Sequence, residues 1–120
     1  MAVGEYTRAI GVNPNYTDAY FKRGYSYEKL DQDQNAISDY NKAIQLDPDY
    51  ALAYNSRGGI YDKLDQYQNA INDYTKAIQI GDNHDALVYF GRSIVYGRLG
   101  QATVADADKT MACVLDSHWC

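Results

Sequence analysis

The sequence predicts an all-α chain of stacked helical hairpins, an α-solenoid, and three observations predict it. The first is a repeat of 34 residues: Tyr6, Tyr40 and Tyr74 stand at that spacing, as do Ala9, Ala43 and Ala77. The pairs Gly24/Gly58, Leu30/Leu64, Ala36/Ala70 and Pro14/Pro48 keep the same interval. A period of this size marks small supersecondary units, each burying its apolar face only against a neighbour. The second is helical spacing inside each unit, where Tyr20, Gly24 and Tyr27 fall at i, i+4 and i+7, one face of a helix. The third is the brevity of the links. The Asp-Gln segments at 31–32 and 65–66 and the Gly-Gln at 100–101 are too short for anything but an antiparallel return.

Taken in order, a half unit at 2–16 comes first, because its EYTRAIGVNPNY matches DYNKAIQLDPDY at 39–50. Two ungapped blocks follow at 17–50 and 51–84, and a third at 86–119. A one-residue insertion near His84 and Asp85 separates the last two, since both Leu64 to Leu99 and Arg57 to Arg92 span 35 residues. The second helix of the first block is carried by Ala36, Ile37, Tyr40, Ala43 and Ile44, and Asp47-Pro48 ends it. A mid-helix glycine costs about 1 kcal/mol relative to alanine, so its return at Gly24 and Gly58 calls for a close-packing reason. The third block departs most. Ser93 replaces the glycine, Lys109 the tyrosine, Asp106 the isoleucine, and Asp82 and Ser117 the proline. Its second helix, 102–115, reads as an atypical terminal element with a wetter outer face.

Composition sets the outer bounds. The 120 residues suffice for a single domain, and the net charge of −5 argues against a phosphate-backbone binder, which needs clustered Lys and Arg. No apolar stretch approaches the roughly 18 residues that span a bilayer, and MAVGEYTRAI lacks the pattern of a secretory signal. With two cysteines, Cys113 and Cys120, there is no disulfide framework, and a reduced, cytoplasmic setting is the expectation.

Tyr20, Gly24, Tyr27, Ala36, Tyr40, Ala43 and Pro48, and again Tyr54, Gly58, Tyr61, Ala70, Tyr74 and Ala77, resemble the signature of the tetratricopeptide repeat family. The resemblance covers nearly the whole chain. It implies antiparallel helix pairs stacked into a right-handed superhelix, and binding of another protein, as an extended peptide or helix, in the concave groove.

The 13 tyrosines are mostly columns of that packing, which suits a ring that buries while its hydroxyl finds a partner. Tyr16 and Tyr50 form one such column, continued by Trp119. Tyr25 points off the packing face, and Phe21 shares its stripe, which continues through Asn55, Gly59, Phe90 and Ile94. In the family this stripe lines the groove. Phe21, Tyr25, Asn55, Phe90 and Ile94 are therefore candidate peptide-binding residues, with Lys22, Lys29, Lys63 and Arg98 flanking them to meet acidic groups. One sub-class of the family grips the C-terminal carboxylate of chaperones. Here the corresponding positions carry Phe21, Tyr25, Ser56, Leu87 and Gly91, which supply neither charge nor amide, so no such binding is expected. The unbroken column of Arg23, Arg57 and Arg92 reads as a structural ladder with aspartates such as Asp39 and Asp73.

No constellation suggests an enzyme or a cofactor. His84 and His118 are the only histidines, and Cys113, His118 and Cys120 offer three ligands at a spacing foreign to zinc sites. Cys113 stands where Ile44 and Ile78 do and reads as a small core residue. RNA-reading helical repeats need a basic groove, which the acidic balance opposes. The chain opens inside the second helix of a unit and closes at Trp119-Cys120. Apolar surface is thus expected at both ends, around Tyr6, Ile10 and Trp119, as in a fragment of a longer array or a chain that self-associates end to end.

Overall fold

The computed structural model describes residues 2–81 and 86–120. Asp82, His84 and Asp85, with the insertion assigned to them, lie outside the described residues. Seven α-helices follow one another among the described residues: α1 (Ala2–Val12), α2 (Thr17–Lys29), α3 (Asp33–Leu46), α4 (Ala51–Lys63), α5 (Tyr67–Ile80), α6 (Ala86–Arg98) and α7 (Ala102–Leu115). A 3₁₀ turn, Ser117–Trp119, closes the series. The pairs α2–α3, α4–α5 and α6–α7 are the hairpins, and each stacks on the next in an array 47 × 27 × 24 Å across.

The hairpin links repeat one backbone device. After α2, the Asp31 N–H donates to Glu28 O and the Gln32 N–H to Tyr27 O, at 3.0 and 2.9 Å. The same bonds recur from Asp65 and Gln66, and from Gly100 and Gln101. This is a Schellman closure, and it needs a left-handed residue. Asp31, Asp65 and Gly100 supply it at φ of 58°, 61° and 75°. The turns between units repeat as well. The side chains of Asn13, Asp47 and Asp116 accept from the N–H two residues on, at 2.9 to 3.1 Å. The final 3₁₀ turn is therefore a further copy of the inter-unit turn, with Ser117 in place of proline.

Two apolar clusters run along the array, one around Tyr20, Ala36, Tyr40 and Ile60, the next around Ala70, Tyr74, Val88 and Val95, and Tyr61 touches both. The recurring glycine has its packing reason: a Cβ on Gly24 would stand 2.8 Å from the buried Tyr40 ring, and one on Gly58 3.1 Å from Tyr74. The two departures of the third unit explain each other. Lys109 is exposed where Tyr40 and Tyr74 are buried, so Ser93 meets no ring and is itself buried. Asp106 and Lys109 give α7 the expected polar face. Another face of the same helix is apolar: Val104, Met111 and Val114 are exposed where the earlier units carry Asn35, Lys42 and Gln45 and their equivalents. The wetter outer face thus holds for only one side of α7.

The arginine column is the strongest polar feature. Arg23 holds Asp39 through Nε and Nη2 at 2.8 and 2.7 Å, Arg57 holds Asp73 in the same way, and Arg92 holds Asp108. Such forked pairs are the strong kind, and the three carboxylates are almost fully buried. Each guanidinium also lies against two tyrosine rings of its own helix and reaches back to the preceding helix, to Thr7, Asn41 or Thr75. One side chain therefore pins three helices. Its partner carboxylate holds the Arg57 proton more firmly than usual, as the corresponding aspartates do for Arg23 and Arg92.

The cysteines depart from the expectation of free thiols. Cys113 and Cys120 form a disulfide across seven residues. Cys113 does occupy the isoleucine position, half-buried on α7, but the inter-unit turn folds Cys120 back to within a 4.6 Å Cα separation, inside the range a disulfide requires.

Candidate functional site

The closest approaches between alternate helices run between α2 and α4 and between α4 and α6, which puts these first helices on the inner, concave side. The stripe residues Tyr25, Asn55 and Ile94 are carried by these three helices, one on each. Tyr25 is 47% exposed and Ile94 36%, and the Lys29 ammonium sits 5.0 Å from the Tyr25 ring centroid, a cation–π arrangement. Asn55 is half-buried between them. Leu52 and Leu87, one turn earlier on α4 and α6, are exposed as well. Neither is among the residues singled out from the sequence as binding groups. Their signal was available: both sit on the helix face three residues before the stripe.

Phe21 and Phe90 behave differently from Tyr25. Phe21 lies under the rings of Tyr40 and Tyr50, at centroid separations of 5.6 and 5.4 Å. Phe90 lies under Trp119 at 4.6 Å, and the disulfide anchors the turn that carries Trp119. Both phenylalanines are half-buried, so they shape the groove wall more than they present a free ring. Ile10 is packed against the first apolar cluster, and Trp119 is half-buried on Phe90. Tyr6 lines a cleft of about 190 Å³ with Ala9, Tyr16 and Ala19. A larger and mainly apolar cleft, about 290 Å³, opens beside Tyr25 between Val3, Ser26 and Leu30.

Three of the four flanking cations are paired with carboxylates, and Lys29 rests on Tyr25 instead. Lys22 pairs with Asp18 at 3.0 Å, Lys63 with Asp33 at 3.0 Å, and Arg98 with Asp62 at 3.4 Å. Asp18 also accepts from the Tyr50 hydroxyl at 2.8 Å. That bond, with Lys22, holds its carboxyl below the usual range, and the hydrogen bonds that Lys22 and Lys63 donate to Asp18 and Asp33 raise the two lysines above theirs. Burial, reinforced by acceptance from their hydroxyls at Glu28 and Asp18, pushes Tyr40 and Tyr50 well above the ordinary phenol range. The stripe is thus mainly apolar, and three of the four cations beside it are paired within the chain. Among the described residues no group of His, Cys, Asp and Glu is arranged to hold a metal ion, and no helix is long and apolar enough to cross a membrane.

Comparison with known proteins agrees with this architecture. The tetratricopeptide repeat profile matches residues 17–50 and 51–84. The crystal structure of MamA superposes with a TM-score of 0.90 at 23% identity, over 96% of this chain and 67% of MamA. YrrB, described as a tetratricopeptide repeat protein with an unusual peptide-binding site, gives 0.87 at 24% identity, over 93% of this chain and 57% of YrrB. The tetratricopeptide repeat domain of Arabidopsis OM64 gives 0.81 at 28% identity, over 85% of this chain and 84% of that domain. The chain therefore spans about two thirds of MamA and little over half of YrrB, and at such identities these two speak for the fold alone. No curated protein matches the sequence. With two consecutive repeats matched over more than half its length, the chain belongs to the tetratricopeptide repeat family.

Proposed function

We propose that this chain is a protein-interaction module that holds an extended peptide along the concave face of α2, α4 and α6. One observation carries the reading. The second helices α3 and α5 expose no large apolar side chain, whereas the inner helices expose Tyr25, Leu52, Leu87 and Ile94. Outside the terminal helix α7, which exposes Val104, Met111 and Val114, the contrast is what a peptide groove on the inner helices requires. Because Lys22, Lys63 and Arg98 are neutralised within the chain, the fitting peptide is largely uncharged and apolar, with Tyr25 as its main anchor. The peptide-binding site named for YrrB supports a peptide as the class of ligand. Linear peptides selected from a random library on this chain test the reading by titration calorimetry. Tyr25→Ala and Ile94→Ala are expected to weaken them about tenfold or more. Binders indifferent to both substitutions, or no binders at all, would sink it.

A second reading, a spacer that self-associates end to end, draws on the apolar face of Val104, Met111 and Val114 on α7 and on the Tyr6 cleft at the other end. It expects a mass that rises with concentration in light scattering and returns to that of a monomer in Met111→Glu or Tyr6→Glu. A constant monomer mass removes it.

A further inference from the structure

The aromatic ring on the second helix of each of the first two units crosses the hairpin and carries its hydroxyl toward the concave floor. At Tyr40 that hydroxyl has an acceptor within the fold: it donates to Glu28 Oε1 at 2.8 Å, with Ser56 of the next unit close enough to influence its titration. Tyr74 occupies the same place 34 residues on, and both partners have changed. Asp62 replaces Glu28, one methylene shorter, and its carboxylate faces Arg98 at 3.4 Å. Gly91 replaces Ser56 and has no hydroxyl to offer. Among the described residues nothing hydrogen-bonds the Tyr74 hydroxyl, whose titration is governed by burial and by nearby carboxylates alone.

Tyr74 is only 7% exposed as a residue, but its hydroxyl is not one of the enclosed polar atoms without a partner, so the oxygen itself reaches the open surface. Its oxygen is aimed at a gap in the floor. It lies 3.6 Å from the place a Cβ on Gly59 would take and 3.3 Å from that on Gly91. Gly59 belongs to the groove stripe between Tyr25 and Ile94, so two adjacent first helices both lack a side chain where the hydroxyl emerges.

We infer that the Tyr74 hydroxyl is a binding group, donating to a main-chain carbonyl of an extended peptide whose backbone enters the notch between Gly59 and Gly91. A neutral carbonyl is the acceptor that fits. Asp62, Glu28 and Asp73 all act on this hydroxyl through their charge, which repels a carboxylate, and the bare glycines admit a backbone where a side chain would stand off. The inference rests on the groove reading above and adds to it the point at which the ligand backbone is fixed.

The test uses the same library-selected linear peptides with three variants. Tyr74→Phe keeps the ring and removes the hydroxyl. It is expected to leave thermal stability unchanged and to weaken the peptides about three- to tenfold, the worth of one hydrogen bond. Tyr40→Phe is expected to do the reverse, lowering stability through the lost Glu28 bond and leaving affinity alone. Replacing successive peptide amides by esters, whose carbonyls are poorer acceptors, should reveal one position that weakens binding to the parent chain and not to Tyr74→Phe. Should Tyr25→Ala weaken the peptides while Tyr74→Phe binds them as the parent does, the notch inference fails and the groove stands. A loss of stability in Tyr74→Phe equal to that in Tyr40→Phe would also overturn it, by showing the hydroxyl satisfied within the fold. Binders indifferent to Tyr25→Ala, or none, would remove the groove and the notch together.

Discussion

The seam between the helices and the floor of the groove follow opposite rules of repetition. In the seam, Arg23, Arg57 and Arg92 hold Asp39, Asp73 and Asp108 with nearly the same distances in all three units. On the floor, the equivalent positions read Tyr25, Gly59 and Ile94, no two alike. A contact between successive copies of one unit must be satisfied the same way each time, so its residues recur. A contact with a ligand that does not repeat carries no such constraint. Sameness along this array therefore marks what holds it together, and difference marks the positions that the proposed groove leaves free to vary.

The largest effect that separates the two regions is expected from Asp73→Ala. It leaves the Arg57 guanidinium part-buried between Tyr54 and Tyr61 without its counter-ion, and breaking a buried pair by removing one partner costs about 3–5 kcal/mol. Urea unfolding followed by circular dichroism should show a midpoint far below that of the parent chain. Lys22→Ala removes a pair of similar length, 3.0 Å to Asp18, both of whose partners are about half-exposed. Exposed pairs contribute little, so its midpoint should stay with the parent. Equal losses in the two variants would break the comparison.

Next in size is reduction of the disulfide. Closing a loop this short is worth about 2 kcal/mol on the chain-entropy account, and the bond fixes the turn that lays Trp119 on Phe90. Trp119 is the sole tryptophan, so its fluorescence reports on that contact directly. A dithiol reductant is expected to shift the emission to the red and lower the melting temperature, with the helical signal intact at room temperature. Unchanged emission would mean that the stack on Phe90 holds without the covalent tie.

Most of the seam was legible in the sequence, because identical residues at a fixed interval announce it. Its remaining partners were harder to see. Thr7, Asn41 and Thr75 keep the 34-residue spacing but differ in type, so only their common role beside the arginines reveals them as a column. The shared helix face of the stripe around Tyr25 was read from helical spacing, and its role as a groove came from the family resemblance and remains the proposal above. The state of its phenylalanines was not. Phe21 and Phe90 are each covered by an aromatic 29 residues downstream, Tyr50 and Trp119, and that contact depends on the inter-unit turn folding back. The Tyr74 hydroxyl is further still from the sequence, because its lack of a partner follows from two substitutions on two different helices that meet only in space. The disulfide had no signal beyond two cysteines near one end.

The smallest expected effect sharpens the comparison most, because two glycine-to-alanine changes should differ in sign. Both replace a mid-helix glycine, which alone favours alanine by about 1 kcal/mol. At Gly24 the new Cβ would meet Tyr40 Cε1 at 2.8 Å and Asp39 Cβ at 3.2 Å. Tyr40 is fully buried and has nowhere to turn, so overpacking of about 1–3 kcal/mol outweighs the helical gain and the variant should melt below the parent. At Gly59 the nearest atom to a new Cβ is the Tyr74 hydroxyl, at the ordinary contact distance of 3.6 Å. Nothing there opposes the helical gain, so Gly59→Ala should melt slightly above the parent. On the notch inference it should still bind the selected peptides more weakly, because the added methyl would stand where the inferred ligand backbone enters. A variant that is more stable and a poorer binder marks a residue kept for reception at the expense of the fold. If Gly59→Ala instead melts as low as Gly24→Ala, the floor is packed as tightly as the seam and the distinction between them is lost.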